Sequence, residues 1–227
     1  MKAALPVLLS FNGGYVDTAG YLALHGLFTA HVTGNFVTLA AALAFGTTGI
    51  LTKLLALPVF CVVVVVTRLV SYGLPKRNWP VLQTMLSLKL LLMIAGAVLA
   101  IRLGPFSNGD SAAAMVTGLT FVAAMAIQNA AHRIHLGSAP PSTLMTGTTT
   151  QLMIDVADTI HGLPQEKRDV TRARMRDMTL AVVSFASGAA LAAFLFSTVA
   201  MWCFAVAPTV ALATRVVATR GLQLATP

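Results

Sequence analysis

An acidic residue inside a long apolar stretch is the clearest chemical signal in the sequence. Asp17 lies about twelve residues into the apolar run Leu5–Leu24, which is roughly 18 Å along a helix. An ionisable group at such a depth costs at least about 2.5–3.5 kcal/mol and usually faces a cavity or a partner. We therefore expect Asp17 to bind a substrate or an ion. A structural hydrogen bond to a neighbouring helix is the alternative.

Two further polar residues flank Asp17 and belong to the same predicted site. Asn12 opens the run Asn12-Gly13-Gly14, which is expected to loosen the helix and expose backbone carbonyls. Exposed carbonyls are tolerated in a membrane only where the backbone lines protein or water. His31 follows Asp17 after the predicted helix end. Because the charge of histidine changes near neutral pH, we expect His31 to be a proton carrier.

Two Thr-Gly steps open the two shortest apolar segments, at Thr33-Gly34-Asn35 and Thr146-Gly147-Thr148. Thr or Asn at a helix start can satisfy free N–H groups, and a helix N-terminus favours anions. Two such starts meeting near the bilayer centre would suit a carboxylate or a similar anion. Ordinary capping, with Gly allowing close helix packing, explains the same residues.

The second half of the chain carries neutral counterparts and one expected ion pair. Gln128-Asn129 occupies the place that Asp17 has in the first half. Lys89 and Asp155 both fall within segments expected to lie in the bilayer, so they are predicted to form a buried pair, unless each reaches an interface. No zinc, nucleophile or phosphate-binding pattern occurs, so we expect no metal, no cofactor and no enzymatic activity.

Composition places these residues in a membrane protein. Apolar residues make up 57% of the 227 residues, charged residues only 10%, and the mean hydropathy is +0.82. At about 20 residues per crossing, the chain forms one membrane domain, 1–227, with six to eight crossings. The net charge of +8 lies at segment ends, which indicates a lipid bilayer rather than nucleic acid as partner.

The predicted fold is all-α, with six spanning helices and two short re-entrant half-helices; seven or eight spans are the alternative. Six spans place twelve Lys and Arg residues in the cytoplasm and two outside, whereas eight give ten against four. The positive-inside rule therefore favours six spans with both termini, including Lys2, in the cytoplasm. The segments expected to cross are Leu5–Leu24, Leu51–Leu74, Val81–Ile101, Ala112–Ala131 and two within Met178–Thr214, divided near Ser197-Thr198; the re-entrant ones are Thr33–Phe45 and Thr143–Ile160.

The two halves of the chain repeat the same order of motifs. Asp17 precedes Thr33 by 16 residues, and Asn129 precedes Thr146 by 17. Three crossings per half make the second copy, about residues 111–218, upside down relative to the first, about 4–103. Inverted repeats of this kind are typical of secondary transporters.

The runs GYVDTAGYLAL, LFTAHVTGNFV, AIQNA and LMTGT resemble the YoaK-type family of small bacterial membrane proteins, a domain of unknown function. The resemblance covers nearly the whole chain and implies a bacterial inner-membrane location, without an assigned substrate. Asn12 departs from the family pattern, where a small apolar residue is usual.

These features predict a transporter or facilitator for a small polar solute, expected to be anionic, with proton coupling through Asp17. A channel with paired re-entrant helices is one alternative. A membrane sensor or assembly partner that uses the basic loop Lys167–Arg176 is another. Helix faces rich in Gly and Ala also allow a homodimer.

Overall fold

Helices make up most of the part of the chain that the structure describes. The computed structural model describes residues 4–223, and no strand occurs in this range; Lys2 lies outside it. Short 3₁₀ turns cover Pro75–Arg77 and Ala200–Ala205. The α-helices are α1 Ala4–Ala23, α2 Gly34–Phe45, α3 Ile50–Gly73, α4 Val81–Leu103, α5 Ala112–His135, α6 Met145–His161, α7 Gln165–Val199 and α8 Val206–Gln223.

Four helical stretches of the described chain are long and apolar enough to cross a membrane: α3, α4, α5 and the continuous stretch Gln165–Arg220. That stretch holds 56 residues, enough for two crossings. It breaks at Ala200, which has a positive φ of 47°, two residues beyond the predicted Ser197-Thr198. Because α7 begins at Gln165, the predicted basic loop Lys167–Arg176 is wrong: these residues are helical.

Hydrogen bonds join several helix ends at one end of the bundle, called here the distal end. The His25 Nε2 atom lies 2.9 Å from the carbonyl oxygen of Phe106, and the Thr48 hydroxyl lies 3.1 Å from His25 Nδ1. Asp110 reaches the backbone of Gly49. These contacts bring together the ends of α1 and α4 and the starts of α3 and α5.

The opposite, proximal end holds the starts of α1 and α4 and the ends of α5 and α8. Leu5 and Leu9 of α1 share a buried cluster with Leu86 of α4 and Ala218 of α8, and Leu136 packs against it. A cavity of about 200 Å³ places Pro6 of α1 beside residues 176–181 of α7 and the chain after α5. Six long helices thus alternate in direction through the bundle.

Each short helix starts inside the bundle and returns the chain to the end at which the preceding long helix finished. After α1, the chain turns and runs back along it, and Gly20 leaves room for Thr29 there. Helix α2 then packs on α3, so that Gly49 comes back beside His25. After α5 the chain folds back in the same way, and α6 packs on α7. We call residues 24–33 and 136–144 the first and second turning segments.

Helix contacts occur in matched sets when the chain is divided after α4. Helix α1 packs on α7 as α5 packs on α3, and α2 packs on α3 as α6 packs on α7. The contact of α4 with α5 has its counterpart in that of α8 with α1. Among the α-helices, the other contacts are α1 with α5 and α4 with α8, each of which joins a helix to its own counterpart. The 3₁₀ turn Ala200–Ala205 also contacts α1, α4 and α8, and the turn Pro75–Arg77 has no matching contacts.

Glycines bring α1 and α7 unusually close. A Cβ on Gly14 would overlap the carbonyl oxygen of Phe185, and one on Gly188 would overlap that of Phe11. The Asn12-Gly13-Gly14 run stays helical within α1, so the expectation of a loosened helix is wrong. Its glycines admit a neighbouring backbone, as small residues do between packed membrane helices.

We expect Gly188→Ala to destabilise the protein by about 1–3 kcal/mol, because the added methyl group must push two backbones apart. Thermal unfolding in detergent would measure the loss. The matched control is Gly147→Ala, since nothing lies within 4 Å of a Cβ at Gly147 and Ala favours a helix. Equal melting temperatures for Gly188→Ala and the wild type would contradict the close crossing.

Helix α3 is capped by a residue about sixty positions away. The Asp110 carboxylate accepts hydrogen bonds from the backbone of Gly49, Ile50 and Thr52 at 2.9, 3.0 and 3.1 Å. Burial alone would raise the pKa of Asp110, but hydrogen bonds from the backbone at the start of α3 hold it below its ordinary value. The ionised carboxylate therefore stabilises the folded state.

Asp110→Asn is expected to lower stability by about 1 kcal/mol at neutral pH, as is typical for loss of a helix cap. Because the pKa of Asp110 is lower in the folded protein than in the unfolded chain, its carboxylate contributes stability at pH values above the pKa in the unfolded chain. This contribution is lost as the pH falls through the pKa in the folded protein. The difference between wild type and variant in thermal unfolding should therefore shrink as the pH falls through that range. The exposed Asp169→Asn serves as control, and a difference that does not change with pH would contradict the assignment.

Candidate functional site

The Asp17 carboxylate holds the first turning segment against α1. Its Oδ1 atom accepts hydrogen bonds from the backbone N–H groups of Thr29 and Ala30 at 2.8 and 2.7 Å. Its Oδ2 atom lies 2.6 Å from Nδ1 of His31. Asp17 is buried and lies six residues before the end of α1 at Ala23, or about 9 Å along the helix. The tip of the segment therefore lies inside the bundle.

His31 gives this buried carboxylate a route to the outside. The side chain of His31 is 31% exposed, whereas that of Asp17 is 4% exposed. The imidazole ring packs edge-on against Phe185 of α7, with ring centroids 5.5 Å apart. His31 therefore joins the buried carboxylate to a partly exposed ring, and its role as a proton carrier stays a prediction.

The first Thr-Gly step has a different role from the one expected. Asn35 binds both backbone groups of Phe28, accepting from its N–H and donating to its carbonyl, each at 2.8 Å. It therefore shapes the turning segment. Thr33 is exposed and makes no capping hydrogen bond with its side chain, so it does not line a buried centre.

Gln128 and Asn129 hold the second turning segment as Asp17 holds the first. Gln128 Nε2 donates to the Ser142 hydroxyl at 3.1 Å and to the Leu9 carbonyl at 2.9 Å. The Thr143 hydroxyl donates to Asn129 Oδ1 at 2.7 Å. Asn129 lies six residues before the end of α5 at His135, the same depth that Asp17 has in α1. Amides here replace the carboxylate of the first half.

The second Thr-Gly step does not open a buried helix start. Thr146 is exposed in the first turn of α6. Thr148 is buried, but its hydroxyl donates to the Leu144 carbonyl in the preceding turn. Threonine hydroxyls in helices commonly bond in this way. The predicted capping is therefore wrong, because neither helix start has a side-chain capping hydrogen bond. A ligand role for these residues stays a prediction.

Lys89 and Asp155 do not form the predicted pair. Asp155 binds Arg174 through two hydrogen bonds of 2.7 Å, because α6 lies along the first turns of α7. Lys89 faces α5 and donates to Gln128 Oε1 at 2.5 Å. A bidentate guanidinium is the stronger carboxylate partner. Packing thus gave each residue a nearer partner.

Asn12 is the most isolated polar residue of the predicted set. It is fully buried in α1, and neither its Oδ1 nor its Nδ2 atom has a hydrogen-bond partner among the described residues. Buried amides normally find partners, so an unpaired one needs a physical reason. Sequence reasoning missed Ser142, Thr143 and Thr29. The hint in the second half was the pair of hydroxyl residues 13 and 14 positions after Asn129, whereas Thr29 acts through its backbone N–H, which its residue type does not reveal.

The arrangement can bind polar groups and hold a proton at two centres. Asp17 and His31 form one, toward the distal end; Lys89, Gln128 and Ser142 form the other, toward the proximal end. Across residues 4–223, no group of three or more His, Cys, Asp or Glu side chains is placed to hold a metal ion.

The apolar helices and the buried polar centres define a helical membrane protein that crosses the bilayer several times. The chain belongs to the family described as Protein of unknown function (DUF1275), whose model matches residues 5–217. The resemblance to the YoaK-type family is thereby confirmed. Searches of curated proteins and of solved structures each found no match.

We expect Asp17→Ala to release the first turning segment, because three backbone N–H groups and His31 lose their acceptor. Hydrogen exchange followed by mass spectrometry should show faster exchange in peptides that cover residues 27–33. Exchange in residues 136–144 should stay unchanged. Asp158→Ala, at an exposed position on α6, is the control, and unchanged exchange in 27–33 would contradict the anchoring role of Asp17.

Proposed function

We propose that the protein is a membrane transporter or facilitator for a small polar solute, built as an inverted repeat of residues 4–103 and 111–218. The matched helix contacts support the repeat. So does the alternation of six long helices, because each helix of one half then runs opposite to its counterpart. Transporters of this plan bind solutes near the repeat interface.

The observation that carries the proposal is the depth of the two turning segments. Each folds back from one end of the bundle and is fixed by a polar side chain six residues inside a helix. The two segments enter from opposite ends. Non-helical backbone at membrane depth is tolerated only where it is buried in protein or lines a polar path. The two turning segments can therefore close a solute path through the bundle, one at its distal end and one at its proximal end.

Charge distribution supports an orientation with the proximal end in the cytoplasm. Eleven Lys and Arg residues of the described chain belong to the proximal end, and Lys53 and Arg102 belong to the distal one. Positive residues concentrate on the cytoplasmic side of membrane proteins. On this assignment α2 and α6 are re-entrant and six helices cross the bilayer, in the bacterial inner membrane.

We assign coupling to Asp17 with His31. The 2.6 Å contact between His31 Nδ1 and Asp17 Oδ2 lets a proton on the ring alter how firmly the segment is held. When the pair gains or loses one proton, the local charge at the re-entrant tip changes by one unit. That is the kind of local charge change that biases a two-state element.

Charge balance weakens the alternative of a basic docking loop. Residues 155–177 contain five Lys and Arg residues and also five Asp and Glu residues. Two of the acids, Asp155 and Asp177, pair with arginines of the same hairpin. Anionic lipid binding requires an uncompensated basic cluster, and this hairpin is close to neutral.

Flux through proteoliposomes tests the proposal. The purified protein would be reconstituted, and stopped-flow light scattering would follow entry of glycerol, urea, glycine, taurine and nitrate at pH 6 and pH 8, with pyranine inside to report protons. We expect protein-dependent, saturable entry of at least one solute, with a pH dependence that Asp17→Asn removes. Non-saturating flux would favour the channel instead.

Asp158→Asn is the matched control for the removal of a carboxylate, and His31→Gln should resemble Asp17→Asn. No protein-dependent flux of any solute at either pH would contradict transport. Unchanged pH dependence in Asp17→Asn would contradict the role of Asp17 while leaving transport itself intact.

A further inference from the structure

The centre around Lys89 holds a buried amine that has no acid beside it among the described residues. Lys89 is fully buried eight residues into α4, about 12 Å along the helix. Gln128 is its one hydrogen-bond partner among the described residues, and no described carboxylate lies within 4 Å of its amine. An ammonium has three N–H donors. Buried charges of this kind are normally paired.

A second unsatisfied group lies at the same level of the bundle. Helices α1 and α4 both start at the proximal end, and Leu9 and Leu86 share one buried cluster there. Asn12 and Lys89 each follow three residues later, one turn further on. Gln128 links the two helices, because it accepts from Lys89 and donates to the Leu9 carbonyl. Asn12, whose amide has no partner among the described residues, lies one turn along α1 from the Leu9 carbonyl that Gln128 binds.

We infer that Lys89 and Asn12 form a binding site for a small monovalent anion, with the ammonium as charge partner and the amide as a further donor. The inference rests on the proposed function and names the chemical class of its solute. One cation matches one negative charge, so a divalent anion would remain half compensated. Gln128 holds the ammonium in the unliganded protein and gives it up to the anion.

The second turning segment is the barrier between this site and the proximal end. A cavity of about 580 Å³ is lined by residues 138–141 of that segment and by Arg174. The next residue, Ser142, binds Gln128. Movement of a few residues around Ser142 would therefore join the cavity to Lys89. The paired Arg174 guanidinium at the cavity wall adds a positive group along the approach.

Ligand-induced stabilisation tests the site without the need for transport. Thermal unfolding of the full chain in detergent would be measured with sodium acetate and with acetamide, its neutral analogue of similar shape. Sodium chloride and sodium sulfate at equal ionic strength complete the series. We expect saturable stabilisation by acetate or chloride and none by acetamide, with sulfate giving only the general salt effect that every variant shares.

Lys89→Gln should weaken anion binding at least about tenfold, as expected for loss of a charge-assisted hydrogen bond. Asn12→Ala should weaken it less, and Arg102→Gln, at the far end of the same helix, should leave it unchanged. If Lys89→Gln does not fold, two other results test the site: the comparison of acetate with acetamide in the wild type, and anion binding by Asn12→Ala.

Equal stabilisation by acetate and acetamide, or unchanged anion binding in Lys89→Gln, would overturn the inference. Failure of the proposed transport function can be told apart from failure of the anion site. Anion binding through Lys89 without flux in proteoliposomes would remove transport and keep the site. Flux that does not depend on Lys89 or on solute charge would keep transport and remove the site.

Discussion

The hydrogen bonds from the first turning segment to Asp17 are the constraint on which the distal half of the bundle depends. Backbone that turns back inside a bilayer has N–H groups that no helix satisfies, and lipid offers no acceptor. Asp17 supplies one, to Thr29 and Ala30. Once the tip is fixed there, α2 can only run outward along α3, which returns the chain to the end it left.

The two halves solve this problem with different chemistry, and the difference separates charge along the molecule. The first uses a carboxylate with an imidazole, whereas the second uses the neutral amides of Gln128 and Asn129 with two hydroxyls. The buried amine of Lys89 joins the second set. An acid thus lies toward the distal end and a base toward the proximal end, each beside a turning segment.

Prediction from sequence worked best where a local pattern has one physical outcome. The apolar runs became helices near the expected bounds, and Asp17 and His31, which belong to one predicted site, are in contact. Pairing between distant segments was less predictable. Lys89 and Asp155 were matched because both are charged and both lie in apolar surroundings, but Arg174 and Gln128 are closer. The Thr-Gly steps failed for a similar reason, since a hydroxyl can be satisfied by its own helix.

Hydrophobicity and helical rise are properties of each segment alone, so the order of residues was enough to predict a helical chain in a bilayer and to single out the polar residues within its apolar runs. Only the tertiary structure decided which groups meet. It brought Asp17 under the first turning segment, left Asn12 without a partner among residues 4–223 and placed Lys89 against Gln128. Those outcomes depend on how closely backbones approach, as at Gly14 and Gly188, and such distances are set by the whole bundle.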